Sequence, residues 1–399
     1  MSFSGFSGTR SCASRRSRLL PLLFAGVLLS GCLGDSNTPW QYSRQTVFGD
    51  SLSDVGSYAV GAIAAVHGGK FTVNTTSPSM QNWTERVAAQ LNQPPSCAAQ
   101  TGLEGDPAQG FYAPVTTHAG CYNYAQGGAR VTESVGPHNK AIEPELGFLT
   151  VPVATQIQHH LARVGGSFAA NELVFVLAGG NDFLWQSDAL IAAVVAGLSQ
   201  QVAMDIQSGA CVPVDQSGSH CIPAAIDHAI TRLAPTYVDA MTLAGTQLAA
   251  LVNDQILARG AQRVVVLNLP DASLSPSMQG RSAATRAAIV AMVQAFNNSL
   301  AAGLANRDPR VLQLDVYARF NTWAAHPADY GFSSFTQAAC DLTKPVPNLL
   351  GSSITCSTAT TVPGDVSRYA FADNVHPTPY TNALIADLVL DALGQRGWR

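Results

Sequence analysis

Near the start of the chain a serine follows an apolar stretch, in Gly49-Asp50-Ser51-Leu52-Ser53-Asp54 after Thr46-Val47-Phe48. Far downstream, Asp373-Asn374-Val375-His376-Pro377 pairs a carboxylate with an imidazole. A serine hydroxyl is a weak nucleophile until a base takes its proton. His376 can be that base if a carboxylate fixes its tautomer and stabilises the imidazolium. Asp373 can do so from a loop that folds back. Each residue also has an ordinary reading. Asp and Ser are common helix caps, so Gly49-Asp50-Ser51 equally suits a turn and cap. The chain has nine histidines, and His376 alone suits an exposed or capping position, as Asp373 suits a turn.

Two further segments offer hydrogen-bond donors. Asn123-Tyr124-Ala125-Gln126-Gly127-Gly128-Ala129-Arg130 places two glycines in a turn, where a backbone N–H can approach a substrate oxygen closely. Gly179-Gly180-Asn181-Asp182 directly follows the apolar run at residues 173–177, and the Asn181 amide can point the same way. With the Ser51 amide these make three donors, the requirement of a tetrahedral oxyanion. Taken singly, each segment also reads as a turn that favours Gly and Asn for conformational reasons.

Those residues need a scaffold. Residues 45–48 read as a strand, with a helix starting soon after Ser51. The continuous apolar run at 173–177 fits a strand buried on both faces. Residues 263–269 and 311–316 read as further strands. Helical patterns cover 83–91, 189–204, 283–305 and 381–393, and 224–258 with a break near Pro235. Strands alternating with helices imply one α/β domain, a parallel sheet covered on both faces. Ligands bind at the C-terminal ends of such strands. Ser51 falls there, where a helix N-terminus would favour developing negative charge.

Composition narrows the partners. The 399 residues carry a net charge of −4, with no Lys/Arg run in the body, which argues against nucleic acid. Arg10, Arg15, Arg16 and Arg18 precede a short apolar run at 19–29, the pattern of an export signal over residues 1–31. That run ends in Leu29-Ser30-Gly31-Cys32, which resembles a lipoprotein processing box. Cys32 is then lipidated and anchors the chain to a membrane through a polar tether, residues 32–44, with the folded domain at 45–399. The alternative is an ordinary secretory peptide cut nearby. Six cysteines remain in the exported body, an even number that suggests disulfides. They fall in local couples: Cys97 with Cys121, Cys211 with Cys221, and Cys340 with Cys356. No C-x-x-C spacing points to a metal.

The four segments, in this order, resemble the blocks of the GDSL, or SGNH, hydrolase family. Its named Ser, Gly, Asn and His fall on Ser51, Gly128, Asn181 and His376, and its acid on Asp373. The matching blocks run from residue 46 to about 395. The resemblance implies a flavodoxin-like three-layer α/β/α sandwich around a central parallel sheet. It also implies hydrolysis of small-molecule or lipid carboxylic esters without metal or organic cofactor. In that scheme Ser51 attacks, His376 carries the proton, Asp373 orients His376, and the Ser51 and Gly128 amides with the Asn181 side chain hold the oxyanion. Asp50, Asp54 and Asp182 have no triad role there and read as loop-fixing. Some members transfer lipid acyl groups or deacetylate carbohydrate esters, and a surface lipoprotein keeping the fold as a binding scaffold is the competing non-enzymatic reading. Phe183, Leu184 and Trp185 are candidates for an apolar acyl pocket or for core packing.

Overall fold

The strands are β1 Arg44–Gly49, β2 Gln100–Glu104, β3 Tyr112–Thr117, β4 Glu172–Leu177, β5 Arg263–Leu267, β6 Val311–Leu314, β7 Ser334–Ala338 and β8 Tyr369–Phe371. The computed structural model describes residues 40–75, 81–212, 214, 219–304, 308–344 and 351–399. The expected leader, Cys32 and most of the tether lie outside these residues. β1, β4, β5 and β6 form a parallel sheet in the order β1-β4-β5-β6. Every residue of β4 is buried, as an uninterrupted apolar run requires. Along the free edge of β1, the Val47 N–H donates to the Tyr122 carbonyl at 3.0 Å and the Tyr124 N–H to the Val47 carbonyl at 2.8 Å. With that edge segment counted second, the order is the 2-1-3-4-5 of flavodoxin-like sheets.

Alternate side chains of the strands feed two cores, because successive residues of a strand face opposite ways. Phe48, Val174, Val176, Val264 and Val266 pack on one face against α3 Val153–Arg163, α4 Gly180–Gln207, α5 Ile222–Leu251 and α6 Ala283–Gly303. Val47, Leu173, Phe175, Leu177, Val265 and Leu267 pack on the other. There they meet α2 Trp83–Gln90, α7 Val316–Ala325 and α8 Pro379–Gln395. This is the α/β/α sandwich expected. Helix α2 starts at a reciprocal cap between Asn82 and Glu85. A smaller helix, α1 Gly61–Ala65, packs through Ile63 in a separate cluster with Tyr58, Phe71, Leu103 and Phe148.

Several local expectations change. No helix follows Ser51. The N–H groups of Ser53 and Asp54 both donate to the Asp50 carbonyl, and the turn ends there. The Asp54 carboxylate takes the next N–H groups, of Gly56 and Ser57, and Gly56 has φ 126°. Side-chain competition for backbone donors is what stops such a turn, so a helix dipole does not act on Ser51. Pro235 does not break α5, which is held between α4 and α6. The irregularity comes later, as a π-helical segment at Val252–Leu257. β6 ends at Leu314, short of the expected 316, because Asp315 caps α7, accepting from the Ala318 N–H at 2.9 Å. Residues 40–43, read as tether, instead pack on the body. The Trp40 indole N–H donates to the Gly397 carbonyl, the Tyr42 hydroxyl to that of Trp398, and Arg263 covers the Trp40 ring at 3.5 Å. Residues 40–399 thus form one compact unit. It carries the disulfides Cys97–Cys121, Cys211–Cys221 and Cys340–Cys356.

Candidate active site

The site forms where the sheet order reverses, between β1 and β4. Gly49 sits opposite Leu177 in the register, and a Cβ on Gly49 would lie 2.2 Å from the Leu177 carbonyl oxygen. Only glycine permits that approach, and it makes the loops after β1 and β4 leave the sheet side by side. Asp50 ties them together. Its carboxylate accepts the Leu52 N–H at 3.0 Å and the Gly180 N–H at 3.2 Å. From below, the buried amide of Gln156 on α3 grips both backbone groups of Gly49, accepting from its N–H at 2.9 Å and donating to its carbonyl at 2.8 Å.

On this frame the Ser51 Oγ stands 2.9 Å from the His376 Nε2. The His376 Nδ1 lies 2.7 Å from the Asp373 Oδ2. The two ends of the chain therefore meet. Asp373 is buried and fully engaged: its Oδ1 accepts the Val375 and His376 N–H groups at 2.9 and 2.8 Å, and its Oδ2 the Ser353 N–H at 2.6 Å. Burial opposes its charge, but the facing His376 and these donors win, holding the carboxyl well below the usual carboxylate range. The Phe71 ring covers His376 at 4.9 Å. Gln156 and Ser353 were not singled out in the sequence. A glutamine on the apolar stripe of α3 and the Cys340–Cys356 couple beside Ser353 were the available signals.

Asn181 lines the same cleft as Ser51 and His376. One hydrogen of its amide goes to the Ala129 carbonyl at 2.9 Å, which leaves the other for a ligand. Gly128 does not line the cleft, but belongs to the adjoining loop. There the Gly127 N–H is taken by Asp54 at 2.9 Å, whereas the N–H groups of Gly128 and Ser51 have no acceptor among the described residues. Gly128 has φ 79°, and a Cβ on it would come within 2.6 Å of the Pro137 carbonyl and of Thr150. Asp182 accepts from the Val131 N–H at 2.9 Å and from Arg130 at 3.2 Å. Asp50, Asp54 and Asp182 thus each bridge two loops.

Burial pushes Asp50 and Asp54 up to about 6, against the N–H donors that favour their charged forms. Raised carboxyls stabilise the fold most below the ordinary value, and that contribution disappears as pH rises through about 6. Asp373 has the opposite sign, its contribution being lost only on acidification. Asp54→Asn isolates one group. It leaves the Gly127 N–H facing an amide and lowers stability at every pH. The gap between wild type and variant should narrow by about 2 kcal/mol between pH 4 and pH 6. Urea melts across that range measure it, and a widening gap contradicts the assignment.

The cleft holds a cavity of about 70 Å³ that opens to solvent. Its walls are mostly apolar, with Leu269, Pro270, Val293, Phe320 and Phe371 opposite the serine. Phe183 and Leu184 line it as well, but Trp185 turns away and lies under the Arg130 guanidinium at 5.1 Å. Elsewhere, Cys211, His220 and Cys221 cluster as a metal set would, but the two sulfurs are bonded to each other.

The GDSL-like lipase/acylhydrolase family matches residues 46–389. Esterase EstA of Pseudomonas aeruginosa is 26% identical over 393 residues, covering 95% of this chain and 51% of that protein, and Esterase EstA of Pseudomonas putida matches to the same extent. The chain thus spans about half the length of these relatives. A GDSL esterase/lipase of Arabidopsis thaliana is 31% identical over 87 residues, 22% of this chain and 23% of that protein. With a match over most of its length, the chain belongs to the GDSL-like lipase/acylhydrolase family.

Proposed function

We propose that this protein is an exported serine esterase that hydrolyses carboxylic esters through an acyl-enzyme on Ser51. The observation that carries the reading is the hydrogen-bonded chain from the Ser51 Oγ to the His376 Nε2 at 2.9 Å and from the Nδ1 to Asp373 at 2.7 Å, at the edge of an apolar cleft. The Ser51 Oγ attacks the ester carbonyl carbon while His376 takes its proton. The oxyanion is held by the Ser51 and Gly128 N–H groups and the free hydrogen of the Asn181 amide. His376 then protonates the departing alkoxide, leaving the acyl group on Ser51. A water, deprotonated by His376, attacks that acyl group, and His376 returns the proton to the Ser51 Oγ as the acid leaves. Asp373, kept anionic by its donors, stabilises the imidazolium in both steps. Similarity to proteins called esterases supports the reaction class.

Export and a lipid anchor on Cys32 belong to the same reading. Three disulfides suit an oxidising compartment. The purified protein should cleave p-nitrophenyl butyrate, and a fluorophosphonate should add its mass to the peptide bearing Ser51. A protein that cleaves no ester and takes no label is the binding scaffold instead.

A further inference from the structure

Helices α4 and α5 form a hairpin that rises from the catalytic rim of the sheet. α4 starts at the end of β4, and its 28 residues reach about 42 Å. α5 runs back along it. The Tyr237 hydroxyl donates to the Ala189 carbonyl at 3.1 Å, Arg232 to the Gln201 side chain at 3.0 Å, and His228 meets Asp205 at 2.9 Å. Nearer the sheet, α5 runs parallel to α6, with Gly245 against Phe296 and Ser299 and Asn253 donating to the Gly303 carbonyl. α6 begins only at Ala283, so the first turns of α5 and the far half of α4 stand clear of it. The Cys211–Cys221 disulfide closes the tip.

This hairpin is apolar outside as well as inside. Phe183, Leu190 and Val194 on α4 join the core. A second stripe, Leu184, Ile191, Val195, Leu198 and Val202, is partly or fully exposed at helical spacing. Leu184 lines the catalytic cleft. The stripe runs from there toward the tip, where Val212 and Val214 are 73% and 79% exposed. Of the eleven large apolar side chains exposed among the described residues, seven lie on this hairpin. An apolar surface so concentrated marks a partner.

We propose that the outer face and tip of this hairpin dock on a lipid surface. The chemistry of the face favours lipid over protein. Protein interfaces draw much of their energy from Trp, Tyr and Arg anchors, and residues 186–231 contain no Trp, Tyr, Phe, Lys or Arg. The face is aliphatic, and a fluid surface can cover a rod and its convex end together. Charge is kept off it. Asp182 and Asp205 are buried, and Asp188, near the cleft rather than the tip, is the one charged side chain exposed on α4. Asp215 lies outside the described residues. With no basic side chain to meet headgroup phosphates, apolar burial drives the contact, which therefore needs no anionic lipid. Docking brings Leu184, and with it the cleft, to the lipid surface. That esters held there reach Ser51 rests on the esterase reading above; the docking itself does not.

The test is flotation with phosphatidylcholine vesicles, using residues 40–399, the compact unit without leader or Cys32. The unsubstituted protein should float with the vesicles, equally at low and high salt. Val212→Asp combined with Val214→Asp, and separately Val195→Asp, should each lower the partition coefficient at least tenfold, since a carboxylate is costly in hydrocarbon. All three side chains are exposed, so melting temperatures and cleavage of soluble p-nitrophenyl butyrate should match the unsubstituted protein. Ile142→Asp, exposed outside the hairpin, should bind as the unsubstituted protein does. Three results would each overturn the proposal: no flotation, flotation only when anionic lipid is added, or flotation that the tip pair leaves within twofold. A dimer in light scattering that Val195→Asp disperses, without flotation, assigns the face to a second copy and overturns it too. If Val195→Asp fails to fold, the tip pair decides alone. Failure on butyrate, without label on Ser51, would instead remove the esterase reading and leave the docking in place.

Discussion

Ser51→Ala should lower kcat on p-nitrophenyl butyrate by on the order of 10⁴- to 10⁶-fold, with a melting temperature close to wild type. The two halves of that expectation have different sources. The Ser51 side chain contributes its hydroxyl to one hydrogen bond, with the His376 Nε2. The loop itself is held by groups the substitution leaves in place. The Asp50 carboxylate spans Leu52 and Gly180, the Asp50 carbonyl accepts from Ser53 and Asp54, and Gln156 grips Gly49. KM should change little, because the apolar walls that hold the ground state remain. The variant also separates two chemistries open to the same histidine. If His376 activated water directly, Ser51 would be a spectator, and its removal would cost less than about tenfold. If Ser51 forms the acyl-enzyme, only the slow reaction sustained by the remaining donors and binding survives.

How much of this was legible in the sequence varied with the kind of signal. β4 could be read because burial on both faces leaves an uninterrupted apolar run. The serine and histidine segments could be read because each sits in a short motif whose residue types are chemically specific. α3 could not: its stripe of Val153, Ile157 and Leu161 is interleaved with Gln156 and His160, both buried. A buried glutamine lowers the apolar signal, yet here it holds Gly49 in place. The helix expected after Ser51 failed for a related reason, since Asp54 spends its carboxylate on Gly56, Ser57 and Gly127 rather than facing solvent. Pro235 misled in the other direction, its local cost being absorbed by packing on both sides of α5. Polar residues that fix loops thus look like breakers in the sequence until their partners, far away in the chain, are known. The same holds for Ser353, whose N–H reaches Asp373 from the segment joined by Cys340–Cys356.

Asp373→Asn should lower kcat by about 10³- to 10⁴-fold and also destabilise the fold by about 1–3 kcal/mol. Four donors converge on this carboxylate, two on each oxygen. An amide can present only one oxygen. With its NH₂ at the Oδ1 position, it would face the N–H groups of Val375 and His376. With its NH₂ at the Oδ2 position, it would face the Ser353 N–H and turn a donor toward His376. The imidazole can answer that donor only by placing its own proton on Nε2, the atom that must accept from Ser51. The less disruptive packing is thus the one that removes the base. Asn374→Ala, one residue along, is the matched control. Its side chain is exposed and has no hydrogen-bond partner among the described residues, so activity should stay within about twofold of wild type. Steady-state kinetics with thermal melts on both variants measure the contrast. Activity of Asp373→Asn within tenfold of wild type would mean that His376 holds its tautomer without the carboxylate, and the proton path would then need another anchor.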